Sequence, residues 1–354
     1  MKGPLPYLIR RLVWIPLFVI AVVSLIAAVP VWLLVAAFAS RFVPGRWRIL
    51  RVTWFLIVYL VFDAAMILVL FGLWLASGFG WKLSAPAFQQ AHYSLAGWWL
   101  RRIVGSAKRT FNLTFANDDS AGPVAEQGAA LAAGSPLLLF SRHAGPGDSV
   151  LLVDAALNQL GRRPRIILKD LLKMEPVIDI VLNRLPNYFV PSSGSARSGS
   201  AEAIGRLAGG LGADDCLILF PEGGNYTQAR HERAVEKLEA SGRPALASRA
   251  RRMEHLLPPK PTGALTAIEA APDASIAFIG HVGLERLSTL GDLWRGIPMD
   301  STVVTRVWLV PPAEVPPQDE REHWLYDRWA EMDAWIDAQL DEEAVAADDG
   351  DADR

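Results

Sequence analysis

The stretch S-R-H-A-G-P-G-D at 141–148 sets His143 and Asp148 five positions apart. That spacing does not align two side chains on a helix, where facing residues sit three or four apart. Gly145-Pro146-Gly147 lies between them, however, and such a turn folds the carboxylate back toward the imidazole. A carboxylate bonded to Nδ1 fixes the ring's tautomer and raises its basicity, which leaves Nε2 to take a proton from a hydroxyl. The pair also fits a satisfied structural histidine. Its position just after a short apolar run favours chemistry, because α/β proteins keep their sites at the carboxyl ends of strands.

A second cluster, F-P-E-G-G-N-Y-T at 220–227, closes the apolar run C-L-I-L-F. Glu222 is an odd residue to set beside a core strand, and Gly223 and Gly224 allow backbone N–H groups to approach a ligand closely. A plain strand-to-loop turn with an exposed carboxylate fits the cluster as well.

These clusters need a scaffold, and the pattern around them supplies one. Strands are predicted at 137–140, 165–168, 188–190, 216–220, 275–282 and 302–309, and helices at 150–160, 176–185 and 201–211, with 228–256 long and largely helical. Alternation of this kind predicts an α/β domain with a central, mostly parallel sheet flanked by helices, spanning 135–316. Residues 191–200, P-S-S-G-S-A-R-S-G-S, read as a loop. Residues 317–340 read as an amphipathic helix with Trp324, Trp329 and Trp335 on one stripe, placed either on the domain or on a membrane surface. The tail 341–354 reads as disordered and acidic.

Ahead of this domain lie two apolar runs, 13–39 with no charge and 52–76 interrupted only by Asp63. Each is longer than the roughly 20 residues a helix needs to span a bilayer, so residues 1–80 are predicted to be N-terminal membrane helices. A cleaved signal peptide is the competing interpretation of the first run, though its apolar length and the second run argue against it. Arg and Lys flank every end of the two runs, which favours a hairpin that enters one leaflet and returns, kinked at Pro16 and Pro30. Two ordinary spanning helices remain the alternative. Asp63 is expected to face protein, water or a partner, or else to be protonated. Residues 81–134 read as an interfacial connector through Trp98, Trp99, Arg101 and Arg102.

Composition agrees with a mixed membrane and globular chain: 354 residues, 51% hydrophobic and 20% charged. A net charge of -2 excludes a globally basic nucleic-acid binder. The last fourteen residues hold seven carboxylates and one Arg, so the preceding 340 carry +4, a modest attraction toward anionic lipid. One cysteine, Cys216, excludes an internal disulfide and any multi-cysteine metal centre. There is no H-E-x-x-H, and no metal or other cofactor is expected.

The motifs together resemble the glycerol-phosphate and lysophospholipid acyltransferases. His143 and Asp148 match that family's His-x4-Asp block, and Phe220 to Gly223 match its Phe-Pro-Glu-Gly block. N-Y-T at 225–227, L-L-P-P-K-P-T-G at 256–263, W-L-Y-D-R-W at 324–329 and L-K-D-L-L-K-M-E-P-V-I-D at 168–179 look like the branch containing lysocardiolipin and 1-acylglycerol-3-phosphate acyltransferases. The resemblance covers about 135–335.

It implies a membrane enzyme, its catalytic domain on the cytoplasmic face, that moves a fatty acyl group from acyl-CoA or an acyl carrier protein to a lysophospholipid hydroxyl. His143 would be the general base and Asp148 its orienting acid, with Glu222, Gly223 and Gly224 near the acceptor headgroup and membrane lipids as partners. The chain departs from the family pattern at Arg142 in place of Asn, Ser149 in place of an aromatic and Gly224 in place of Thr. It also has Ser192 where the second block carries a phosphate-holding Arg. Arg142, Arg184 or Arg197 is expected to take over that phosphate, since a guanidinium is its natural partner. Lys169 or Lys173 is a candidate for CoA phosphates, or else an ordinary solvated helix start. The missing Arg leaves open a non-phosphorylated lipid acceptor, and the non-enzymatic alternative is a lipid-binding protein of the same fold.

Overall fold

The computed structural model describes residues 5–118, 131, 134–145, 147–191, 198–284 and 290–352. Four helices come first: α1 (Tyr7–Ala27), α2 (Val29–Ser40), α3 (Arg48–Ala76) and α4 (Pro86–Phe111). Then follow β1 (Leu113–Asn117), β2 (Leu137–Ser141), α5 (Asp148–Asn158), β3 (Arg163–Lys169), α6 (Pro176–Arg184), β4 (Tyr188–Val190) and α7 (Ser198–Gly209). The remainder comprises β5 (Asp215–Leu219), α8 (Gln228–Ala240), α9 (Pro244–Arg251), α10 (Pro261–Ala270), β6 (Ser275–Val282), α11 (Leu290–Gly296), β7 (Ser301–Val310) and α12 (Arg321–Ala352). The chain is α/β with mostly parallel strand pairing, and it forms two compact units.

The first unit comprises Met1–Thr114, Val150–Ala203 and Trp294–Ser301. Among its described residues, α1 and α3 are long and apolar enough to cross a membrane. The apolar run 13–39 is not one helix: it breaks at Ala28 (φ -98, ψ 8), with Pro30 in the first turn of α2. The 12 residues of α2 rise about 18 Å, short of the ~30 Å hydrocarbon core. Pro16 has no N–H for the helical ladder, and the turn ahead of it, Arg10–Trp14, is π-helical. Large apolar side chains face outward on all three helices; Leu12 is 71%, Leu34 73% and Leu68 63% exposed.

Asp63 faces protein. It is fully buried, and the Trp99 indole N–H donates to its Oδ1 at 2.9 Å. Trp98 and Trp99 pack edge-on against Phe62 and Tyr59, so α4 forms a core with α3 and α6 through Met66, Leu70, Ile103 and Val181. For that reason α4, expected within a connector, belongs with the N-terminal helices. Val150–Ala203 falls in the same unit although the sequence places it in the α/β domain. Arg10 and Arg11 bind the buried Asp179 at 3.1 and 3.2 Å, which ties α1 to α6. Strands β3 and β4 pair in parallel, Ile167 opposite Tyr188.

The second unit comprises Phe115–Ser149, Ile204–Leu293 and Thr302–Arg354. Its strands run in the order β1-β7-β6-β2-β5. β2 pairs in parallel with β5 and β6, while β7 is antiparallel to β6. Every residue of β2 and β5 is buried, as expected of parallel strands covered on both faces. The stripe on α12 lies on the sheet: Trp324 and Trp329 meet Phe278 edge-on at 5.4 and 6.2 Å, and Trp335 meets Trp308 at 5.7 Å. Packing on the domain therefore replaces the membrane-surface alternative for that stripe. The helix also continues to Ala352, through most of the segment expected to be disordered, where A-V-A-A has high helix propensity. Residues 228–256 divide into α8 and α9, because Gly242 (φ +71) makes a turn a helix cannot contain.

Candidate active site

The site is built by strand register. In the parallel pair β2–β5, Leu137 lies opposite Cys216 and Phe140 opposite Leu219. Carrying that offset three residues past the Phe140–Leu219 pair brings His143 to Glu222, and the His143 N–H donates to Glu222 Oε1 at 2.7 Å. The second oxygen, Oε2, accepts the Leu257 N–H at 3.0 Å. The three residues before Leu257 are held by Asp333 of α12, whose carboxylate accepts the N–H groups of Glu254, His255 and Leu256, each at 2.9 Å. Glu222 is 1% exposed. It is a brace beneath the histidine, joining the ends of two strands to the 254–257 segment. Burial pushes its carboxyl up to about 7, opposed by the Leu257 N–H, the charge of Arg142 and the His143 N–H.

His143 itself stands at the carboxyl end of β2, its ring partly exposed and tilted against Phe220 at 4.8 Å between centroids. Its Nδ1 is 2.9 Å from Asp148 Oδ2, so the predicted pair is present. Asp148 opens α5 and is nearly buried. Oδ2 also accepts the Gly145 N–H at 3.1 Å, and Oδ1 accepts the Ser149 N–H at 2.6 Å and the Ser149 hydroxyl at 3.2 Å. Burial alone would raise this carboxyl, but the hydrogen bond and charge of His143 and the Gly145 N–H outweigh it, and the group is held below its ordinary value. Asp148 is therefore an anion with four donors around it, and it requires the proton of His143 on Nδ1. That fixes a tautomer with its lone pair on Nε2. Among the described residues, Nε2 of His143 has no hydrogen-bond partner.

Gly223 shapes the turn that follows Glu222. The Gly223 N–H donates to Phe220 O at 2.9 Å and closes a turn, so that amide is not aimed at a ligand. Gly223 adopts φ +71, and the Lys260 side chain lies across its α-carbon; an added Cβ would stand 3.3 Å from Lys260 Cδ. Lys260 is exposed, and its own N–H is fixed on Pro221 O at 2.9 Å. Beside Gly224 is Arg230, whose Nη1 would be 3.5 Å from a Cβ there.

Two of the arginines expected to hold a phosphate have their guanidinium groups on backbone carbonyls. Arg142 is 2% exposed and turned into the protein, with Nη1 on His281 O at 2.5 Å and Nη2 on His255 O at 3.5 Å. An arginine buried this deeply needs acceptors, and the backbone carbonyls supply them. Arg184 belongs to the first unit, where Nη1 meets Leu70 O at 2.9 Å and His92 Nε2 at 3.1 Å. Lys169 is exposed at the end of β3, and Lys173 is paired with Asp170 at 2.5 Å and lies over the Phe189 ring. Arg197 and Ser192 lie outside the described residues, as does Pro146. One trio among the described residues, Glu254, His255 and Asp337, brings potential metal-ligand atoms within 4.8 Å of one another, with His255 Nε2 on Asp337 Oδ1 at 3.0 Å.

The sequence pointed to neither the Leu257 and Asp333 supports nor Lys260. A signal for the brace existed: L-L-L-F and C-L-I-L, aligned as neighbouring strands, put His143 and Glu222 at equal distances past their ends. Comparison of the chain with protein-family models, curated proteins and solved structures gives no match.

Proposed function

We propose that the protein is a membrane-bound acyltransferase that moves a fatty acyl group from a thioester donor, acyl-CoA or acyl carrier protein, to a hydroxyl of a lysophospholipid. One observation carries this reading: a partly exposed imidazole with Nδ1 on a buried, ionised aspartate and Nε2 free. Such a ring removes the proton from an alcohol. As the O–H proton passes to Nε2, the alcohol oxygen attacks the thioester carbonyl; collapse of the tetrahedral adduct expels the thiolate, which takes the proton from Nε2 to become the free thiol, and leaves an ester. No covalent enzyme intermediate is needed. General-base action contributes about 10²- to 10⁴-fold, and the positioning of two bound substrates contributes the larger share of the rest.

The outward-facing apolar side chains of α1, α2 and α3 support attachment to the bilayer, where both substrates reside. The basic flanks of the two apolar runs support a hairpin that keeps the catalytic unit on the cytoplasmic face. An acceptor without phosphate is the second reading. It is favoured by the commitment of the Arg142 and Arg184 guanidinium groups to backbone carbonyls. The full-length protein in mixed micelles, given labelled acyl-CoA and a panel of lysophospholipids, diacylglycerol and amino-alcohol lipids, tests both readings, with products identified by mass. Acylation of lysophospholipids above the others is the expected result; no acylation of any acceptor contradicts the proposal.

A further inference from the structure

A groove of about 580 Å³ opens on the first unit between α3 and α4, far along the sequence from the histidine site. One wall is a stripe of α3, with Arg51, Trp54, Val58 and Phe62 at helical spacing. The other is a stripe of α4, with Arg102, Ser106 and Arg109 spaced four and three apart. The helices run antiparallel here: Phe55 packs on Phe111 at 4.9 Å, and Phe62 on Trp98 at 5.5 Å. Arg51 therefore lies at the Arg109 end, where its Nη1 is fixed on Thr110 O at 2.6 Å. The α3 stripe from Arg51 to Phe62 covers about 16 Å of helix, polar at one end and apolar beyond.

Charge gives the groove its character. Three guanidinium groups line it and no carboxylate does. Arg102 and Arg109 are exposed, and among the described residues neither has a hydrogen-bond or ion-pair partner. Arg51 is also the last charge before the apolar part of α3, which sets this end of the groove at headgroup level if α3 enters the bilayer. Cations over an apolar wall are complementary to a phosphate joined to an acyl glycerol.

We propose that this groove binds one anionic phospholipid of the surrounding bilayer. Its phosphate sits between Arg51 and Arg109, the proximal acyl carbons lie on Trp54, Val58 and Phe62, and Arg102, beside that apolar stretch, meets the glycerol ester oxygens. The site goes beyond acyl transfer and does not depend on it. It would anchor the first unit in membranes rich in anionic lipid.

The test is native mass spectrometry of the full-length, delipidated protein in non-ionic detergent, titrated with phosphatidylglycerol or with phosphatidylcholine of the same chains. The expected result is one phosphatidylglycerol per chain, bound at least tenfold more tightly than phosphatidylcholine, with the preference shrinking as salt rises. Arg102→Ala with Arg109→Ala should weaken it at least tenfold. Arg233→Ala with Lys237→Ala, a charge-matched change on α8, should leave it unaltered. The single substitutions are read in the same way should the double variant not fold. Equal binding of the two lipids, undiminished binding by the Arg102 and Arg109 variants, or displacement of the lipid by millimolar inorganic phosphate or CoA would each overturn the proposal.

Discussion

His143 and Glu222 are 79 residues apart in sequence and 2.7 Å apart in space, the backbone N–H of one on the carboxylate of the other. This contact extends the β2–β5 register beyond the last strand residues, so the reactive histidine is positioned through its main chain as well as through Asp148. Two acids thus hold one residue, and they do different work. Asp148 sets the ring's tautomer, while Glu222 sets where the ring's backbone stands.

The brace predicts a stability effect. Glu222→Gln replaces one of two accepting oxygens by an NH₂ group, so the N–H of His143 or of Leu257 loses its partner in a buried place. A loss of roughly 1–3 kcal/mol is expected. Thermal unfolding of the purified protein should show the drop in Tm, and an unchanged Tm would mean that the two N–H groups do not depend on this carboxylate.

The same residue predicts a pH dependence. Burial raises the Glu222 carboxyl from an ordinary 4.5 to about 7, so between those values the unfolded chain is ionised and the folded chain is not. Stability from this group is complete below 4.5 and declines as pH rises toward 7, by about 3 kcal/mol at most. Asp148 acts with the opposite sign: its lowered value adds stability above its unfolded value, lost as pH falls through the folded one. Tm measured from pH 5 to 8 should therefore fall more steeply in the wild type than in Glu222→Gln; parallel curves would refute the assignment.

Asp148→Asn should reduce turnover by roughly 10²- to 10⁴-fold. The Asp148 oxygens accept from His143, Gly145 and Ser149, so an amide NH₂ in either orientation faces a donor. Facing Nδ1, it would shift the ring proton to Nε2 and remove the base. Initial-rate kinetics with the preferred acceptor measure this, and the expected change lies in kcat, with membrane retention unaltered.

Gly223→Ala should cost about 1–2 kcal/mol, because φ +71 is strained for alanine and the new Cβ drives into the Lys260 side chain. Lys260→Ala in the same chain should recover the part due to collision, but not the backbone part. A double-mutant cycle on Tm separates the two.

Much of the scaffold was legible because parallel strands buried on both faces leave uninterrupted apolar runs. Leu137 to Phe140, Cys216 to Leu219 and Ser275 to Val282 carry that mark, and the His143–Asp148 pair could be read from the glycines between them. The break at Ala28, two residues before Pro30, falls where the proline was expected to kink the run. β1, with Thr114 and Asn117 in five residues, lacks an apolar run. The partners of Glu222 and Arg142 could not be read, for one reason: they include backbone groups at 143, 257, 255 and 281, and composition carries no record of which main-chain atoms a fold will bring to a side chain. The paired tryptophans were ambiguous until Trp99 met Asp63 and Trp329 met Phe278.

The account rests on the free Nε2 of His143. Its most direct test is the rate of acyl transfer by His143→Ala, measured in micelles beside the wild type under saturating donor and acceptor. The prediction is loss of at least 10²-fold in kcat, with undiminished attachment to membranes. A variant that transfers acyl groups at the wild-type rate would contradict it.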